Sequence, residues 1–485
     1  MRRILPRGML PSNDSIEDVI EKALRLVTPS EEEREELRSV LEQSLSRVES
    51  AVNDLNLDAE VVPVGSAVRD TWLPGNNELD IFVLFPKQVG DKLVLGELIR
   101  EIASKAFGEN FEQNYAEHPY VIVKMGDFEI DLVPAYKIRP GERILSAVDR
   151  TPLHTKYVKS KLGDRVTSEV RLLKAFIKSI GAYGAEIKTE GFSGYLCELL
   201  VIYYGNFLEV IRNAASWTPP VYIDIEGTQI REMALRLFEN SPLVVIDPID
   251  PLRNVAAALS QTQFNRFKAA SRAFLKSPDI EFFKRGVVGI KAEKVKLPSV
   301  IDELNSRGTH LVVLGFEGLE GLGKEVLWSQ AKRAARVIHE ELEKHGFSPI
   351  WSSGWTDESS TVFIATEIHY SRIPMLEKKV GPPVGHKEES SFLKKYLGSD
   401  ELLGGPYIEG ERWFVYRKRR FNEVSLLISE LVKRNRLPTY LRGRTFKLIT
   451  ENEMSLLPQW VLNEIWREIK KEEFFVKYLA ENSEE

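Results

Sequence analysis

The stretch Val61 to Phe85, VVPVGSAVRDTWLPGNNELDIFVLF, constrains this chain more than any other. A β-branched run, Val61 to Val64, stops at Gly65-Ser66, where glycine relieves the backbone and a hydroxyl beside main-chain amides suits phosphate oxygens. Glu78-Leu79-Asp80 then opens a second apolar run, Ile81 to Phe85. Residues i and i+2 of a strand share a face, so both carboxylates project together while Leu79 and Ile81 point the other way. Two such carboxylates repel, and a hard cation between them, Mg²⁺ above all, relieves the repulsion. A lone Glu-x-Asp on a strand has a plainer reading as a solvated face. The next strand changes the balance. YVIVKMGDFEIDLVPAY, Tyr120 to Tyr136, sets two β-rich runs around Gly126-Asp127, a dipeptide suited to a tight hairpin turn. Its second run again carries acids two apart, Glu129 and Asp131, with Phe128, Ile130 and Leu132 opposite. One acid from that strand completes a three-carboxylate site.

GSxxRD, the x-Glu-x-Asp strand opening and the later Ile-Asp-Leu-Val-Pro resemble the DNA polymerase β-like nucleotidyltransferases. Within that superfamily, Gly65-Ser66-Ala-Val-Arg69-Asp70-Thr-Trp-Leu-Pro-Gly with Glu78 and Asp80 resembles the class I, archaeal-type CCA-adding enzymes. The likeness continues through RTPLHTKYV from Arg150, EVRLLKAFIKSIGAYGAE from Glu169, EGFSGYLCELLV from Glu190 and DPIDPLRNVAAALS from Asp247. The resemblance implies an α+β protein: a nucleotidyltransferase head of mixed sheet plus helices, a helical neck, and an α+β body and tail. It implies template-independent addition of C, C and A to the 3′ end of tRNA from CTP and ATP. The tRNA 3′-hydroxyl would attack the α-phosphate in line and pyrophosphate would leave, with two Mg²⁺ at the site.

Glu78, Asp80 and Asp131 are then the metal-binding and catalytic acids. The positions matching Ser66, Arg69, His154, Lys174 and Tyr183 hold the triphosphate, with Gly65 in the same turn, and Arg253 matches a residue near the incoming base. Each has a plainer reading on its own. Arg171, Lys174 and Lys178 make a basic stripe beside the apolar stripe Val170, Leu173, Phe176, Ile177 and Ile180, and such a stripe is ordinarily a solvated helix face. His154 taken alone reads as a surface or capping residue, and Arg253 as a salt bridge to Asp247 or Asp250. Two other functions compete. A poly(A) polymerase or another terminal nucleotidyltransferase shares the head chemistry and differs in nucleotide choice. A catalytically inactive tRNA-binding protein is disfavoured, because all three acids and Gly65-Ser66 are present.

A net charge of −6 argues against a nucleic-acid binder only if charge is evenly spread. It is not: Arg412 to Lys447 holds eleven Lys/Arg against two Glu, interleaved with Trp413, Phe414, Tyr416, Phe421, Tyr440 and Phe446. Basic side chains among aromatics suit phosphate contact and base stacking, and Arg417, Lys418, Arg419 and Arg420 are the candidate contacts to the top half and 3′ acceptor end of tRNA. A solvated helix face over Val424 to Val432 is the alternative for part of this segment. The single cysteine, Cys197, excludes an intramolecular disulfide and a cysteine-based zinc cluster. Met1 to Pro11 holds three arginines without the apolar core of a signal peptide or membrane span, so a cytoplasmic protein is expected. Assembly is left open, a homodimer included.

The 485 residues suffice for about three or four domains, read as a catalytic head at 1–150, a nucleotide-binding helical neck at 151–263, an α+β body at 264–380 and a basic, aromatic tail at 381–485. A first helix is expected after Asp14 or Ser15 and a second from Thr28-Pro29, both packing on the sheet that carries the acids. A third, near Leu95 to Phe107, separates the acidic strands. Further on, His310 to Phe316 and Thr361 to His369 read as strands, Lys324 to His345 reads as a long helix, and Val380-Gly-Pro-Pro-Val-Gly385 breaks the chain.

Overall fold

The computed structural model describes residues 14–115, 119–289 and 294–480; the arginine-bearing N-terminus noted above lies outside them. The chain divides into two compact units, Met1–Lys291 with Glu472–Glu485 and Ala292–Lys471.

In the first unit, helix α1 (Ile16–Val27) opens on a capping box in which the Ser15 hydroxyl accepts from the Asp18 amide and the Asp18 carboxylate accepts from the Ser15 amide. Helix α2 (Glu31–Asp54) repeats the device with Ser30 and Glu33. The cap therefore falls on Ser30, because a serine hydroxyl can take the Glu33 amide, and Thr28-Pro29 only leads into it. After α2 come strand β1 (Glu60–Val64), a short helix α3 (Gly65–Arg69), β2 (Glu78–Phe85), helix α4 (Lys92–Phe107), β3 (Phe111–Tyr115), β4 (Pro119–Met125) and β5 (Phe128–Tyr136). They form one mixed sheet in the order β1-β2-β5-β4-β3. β2 and β5 run parallel, and every other pairing is antiparallel. Met125 opposite Phe128 confirms the two-residue turn at Gly126-Asp127.

Helices α2 and α4 cover one face of this sheet, where Leu79, Ile81, Ile130 and Leu132 are buried together. α1 does not join them, against expectation. Its Val19, Ala23 and Val27 belong to a helical core with Val170, Leu173, Phe176 and Ile177. The reason is supply of apolar surface: α2 and α4 already cover the sheet, while the apolar stripe of helix α6 (Asp164–Ser179) needs a partner. That core also takes in helix α7 (Gly194–Tyr204), helix α8 (Phe207–Ser216) and the helix Gln261–Lys276. Phe176 stands at its centre, stacked on Phe282 at 5.5 Å and edge-on to Phe207, Phe267, Phe274 and Phe283. The chain returns to it at the end, where Phe474 and Tyr478 lie 5.3 and 5.0 Å from Phe282. Among the described residues no single helix is long and apolar enough to cross a membrane, and the apolar pair α7 and α8 meet at 93° inside this core.

The second unit is the α+β layer expected from its pattern. Phe446–Ile449, His310–Phe316, Val362–Ile368 and Pro349–Thr356 form an antiparallel sheet in that order, with the helix Lys324–Lys344 packed on it. A second antiparallel sheet has Arg412–Lys418 between Leu376–Pro383 and Leu402–Glu409. Here Val380-Gly-Pro-Pro is strand and not a break. Leu376–Pro383 is an edge strand whose register shifts between Val380 and Pro383, and prolines are tolerated at such an irregular edge because no ladder donor is missed there.

Candidate active site

Strand register assembles the acids. Val64 lies opposite Asp80 across β1 and β2, while Glu78 pairs with Glu129 and Asp80 with Asp131 across the parallel β2 and β5. All four acids therefore share the face away from Leu79 and Ile130, at the end of the sheet where α3 begins. Gly65 is required there twice over. Its φ of +81° suits glycine, and a Cβ at this position would lie 2.0 Å from Asp80 Oδ2. Burial pushes the Asp80 carboxyl above the usual carboxylate range; Arg69 opposes the rise and the Glu78 charge adds to it. A divalent cation held at this face would offset the cost of keeping both carboxylates ionised. The donors are carboxylate oxygens alone, which fits a hard ion. Among the described residues no three of His, Cys, Asp and Glu already converge as metal ligands, so the register supplies a common face whose side chains have still to close on an ion.

The cations are organised by three buried or half-buried carboxylates. Asp70, at φ +52° after α3, takes the Arg34 guanidinium at 2.6 Å and Arg171 Nη1 at 3.2 Å, which ties α2 and α6 to the GSxxRD turn. Glu198, fully buried on α7, accepts from Arg69 Nε at 2.9 Å and from the Thr71 hydroxyl at 2.6 Å. Lys174 is 2 % exposed, donates to the Thr71 carbonyl and hydroxyl, and lies 3.7 Å from the same Glu198 oxygen. Of the basic stripe, Arg171 and Lys174 are buried and only Lys178 is exposed, so the solvated-face reading holds for one residue of three. A Cβ at Gly194, the first residue of α7, would meet the Tyr183 hydroxyl at 3.0 Å and Lys174 Nζ at 3.5 Å, which places Tyr183 and Lys174 side by side.

Asp247 is the third hub. Its buried carboxylate takes His154 Nε2 at 2.9 Å, Arg253 Nη1 at 2.8 Å and the Ile249 amide at 3.0 Å. Burial raises this carboxyl, but those hydrogen bonds and the nearby positive charge outweigh it and hold it at about 2. His154, on helix α5 (Thr151–Lys161), is buried and stacked on Tyr195 at 4.1 Å, and burial depresses its imidazole against the pull of Asp247. Arg253 does form the salt bridge foreseen for it, yet its side chain stays 36 % exposed. Ser66 is the second residue of α3, half-buried, with its carbonyl accepting from the Thr71 amide.

In the second unit, Arg417 pairs with Glu377 at 2.7 Å, Arg419 reaches the same carboxylate at 3.7 Å, and Arg420 takes Glu430 at 2.9 Å. Lys418 is exposed. These four residues line a cavity of about 300 Å³ with Lys344 and Lys379.

Sequence reasoning passed over Glu198, Thr71 and the organising role of Asp247. For Glu198 a signal was there: it is the only charge in GYLCELLVIYY, and a lone acid in a wholly apolar helix must have a buried partner.

A Gly-Ser turn set against paired acids on a mixed sheet defines a nucleotidyltransferase of the polymerase β-like class, and residues 45–154 match the nucleotidyltransferase domain model. Residues 168–284 match the second domain of tRNA nucleotidyltransferase, and residues 307–439 the C-terminal domain of CCA-adding enzyme. The CCA-adding enzyme of Pyrobaculum islandicum is 39% identical over 415 residues, covering 85% of this chain and 92% of that one. That of Methanopyrus kandleri is 38% identical over 475 residues, covering 93% and 94%. This chain belongs to the CCA-adding enzyme family. Solved structures include the Cid1 poly(U) polymerase, 17% identical with a TM-score of 0.43 over 56% of this chain and 98% of that one.

Proposed function

We propose that this protein adds C, C and A to the 3′ end of tRNA from CTP and ATP, releasing pyrophosphate. The observation that carries the reading is the register that sets Asp131 beside Asp80, with Gly65 closed against Asp80. Glu78, Asp80 and Asp131 would hold the divalent cations, read here as Mg²⁺, which when bound supply charge neutralisation and acidify the attacking hydroxyl. Gly65 lets the main chain approach the acids. Ser66 and Arg69 hold phosphate oxygens beside them, Lys174 counters charge on the departing pyrophosphate, and the neutral Tyr183 hydroxyl donates a hydrogen bond to the triphosphate. His154, oriented by Asp247, closes the triphosphate side. Arg253 keeps one nitrogen on Asp247 and offers its exposed edge to the base, where a guanidinium can donate to cytosine O2 and N3 or to adenine N1. Catalysis is positioning and charge neutralisation, with no covalent intermediate on the protein. The deciding assay incubates the protein with tRNA lacking CCA and each nucleoside triphosphate separately, then sequences the ends. C, C from CTP alone, and the third residue A only when ATP is then added to that product, are expected; A alone in long runs would make it a poly(A) polymerase, and no addition an inactive binder.

The tRNA is read as resting on the basic segment of the second unit. Since Arg417, Arg419 and Arg420 already have carboxylate partners, Lys418 is the residue expected to answer to phosphate. Lys418→Ala should lower the salt dependence of tRNA binding by about one unit of log-log slope. Arg417→Ala should lower thermal stability first. An unchanged slope for Lys418→Ala would place the tRNA phosphates elsewhere.

A further inference from the structure

We infer that Glu198 is a positioning residue of the transfer reaction: its buried carboxylate keeps the Lys174 ammonium charged and the Arg69 guanidinium aimed before a triphosphate arrives. The inference rests on the roles proposed above for Lys174 and Arg69. Three donors crowd one of its oxygens, directly or through Thr71, whose hydroxyl donates to Glu198 and accepts from Lys174. The other oxygen, Oε2, is buried with no hydrogen-bond partner among the described residues. A carboxylate so incompletely satisfied is costly in a core, and it is retained beside two largely buried cations that would otherwise lack an anion. What Glu198 supplies is therefore charge.

Lys174 needs that charge. Burial draws its proton off, and Arg69 adds like-charge repulsion. Of the groups that face it, Arg69 and Thr71 beside α3, Tyr183 before α7, and Cys197 and Glu198 on α7, only Glu198 is an anion; burial pushes the Cys197 thiol up to about 12, so it stays neutral. With the carboxylate removed, the lysine would titrate in the working range. A neutral amine cannot answer a triphosphate.

The test is the pH profile of kcat/KM for CTP and ATP, from about pH 6.5 to 9, taken as the ratio of variant to wild type so that ionisation of the attacking hydroxyl cancels. For Glu198→Gln the ratio should fall by about tenfold per pH unit above the lowered lysine pKa, while Glu198→Asp, which keeps the charge, should give a level ratio. A level ratio for Glu198→Gln would overturn the inference and leave the residue purely architectural. Should that variant not fold, nitrogen-detected NMR of the wild-type lysines decides: Lys174 should stay protonated across the pH range in which the enzyme works, and titration near neutrality would overturn the idea. Lys174→Ala is measured alongside. Full turnover from it would remove the proposed role of Lys174 itself, whereas lost turnover with a level Glu198→Gln profile would remove only the role of Glu198.

Discussion

Asp131→Ala should lower nucleotide addition by about a thousandfold or more, because the charge stabilisation that goes with a held divalent ion amounts to several kcal/mol. tRNA affinity should change little, since the face concerned binds the reacting end. The register makes the experiment specific. Asp131 stands opposite Asp80, whereas Glu129, on the same strand and face, stands opposite Glu78. Glu129→Ala is thus the matched control: it removes an acid from the same face without touching the Asp80 pair. Normal turnover in Asp131→Ala together with loss in Glu129→Ala would mean that the other acid of the strand serves the ion, and the assignment of the third carboxylate would have to be exchanged.

The second large effect is on stability, and it carries a pH signature. Asp247→Asn leaves His154 and Arg253 without the carboxylate that joins them, and losing one partner of a buried pair costs about 3–5 kcal/mol. Because Arg253 is 36 % exposed, the lower end, about 3 kcal/mol, is expected, with a Tm lower by about 5–10 °C. The Asp247 carboxyl sits at about 2 in the folded chain against an ordinary 3.8, so it is the more acidic in the native state. Its stabilisation, about 2 kcal/mol, is full above about pH 4 and is lost as pH falls through about 2. The gap between wild type and variant in urea midpoint should therefore narrow between about pH 4 and pH 2. A variant as stable as wild type but altered in its choice of nucleotide would show instead that Asp247 acts on the base through Arg253.

Local pattern made the acids legible and left their supports hidden. Alternation in Glu78-Leu79-Asp80 and Glu129-Ile130-Asp131 fixes which side chains share a face, and Gly126-Asp127 fixes the hairpin; both are properties of neighbours in sequence. That β5 lies against β2 and not β4 alone is a long-range pairing, which the repeated acid spacing suggests and the family resemblance strengthens, and which local pattern cannot fix. Lys174 shows the limit more sharply. By helical spacing it belongs to a polar stripe, yet it is buried, because Glu198 and Thr71, far away along the chain, offer it a polar place inside. α1 packs elsewhere than its pattern suggests for a related cause: its apolar stripe states that it must be covered, and not by which surface. The prolines at 382 and 383 read as a break because edge and centre of a sheet are not distinguishable before the sheet is known.

Phe474 and Tyr478 complete the aromatic cluster around Phe282, although the residues between 292 and 471 belong to a different compact unit. The second unit is thus an excursion within the first. During synthesis from the N-terminus, the nucleotidyltransferase half must wait, with Phe282 uncapped, until the intervening 180 residues (292 to 471) have been made. A nascent chain stalled anywhere in that interval carries every one of the acids and cations of the site on a core not yet closed, so the helix Val476–Ala480, made long after the site it supports, closes that core.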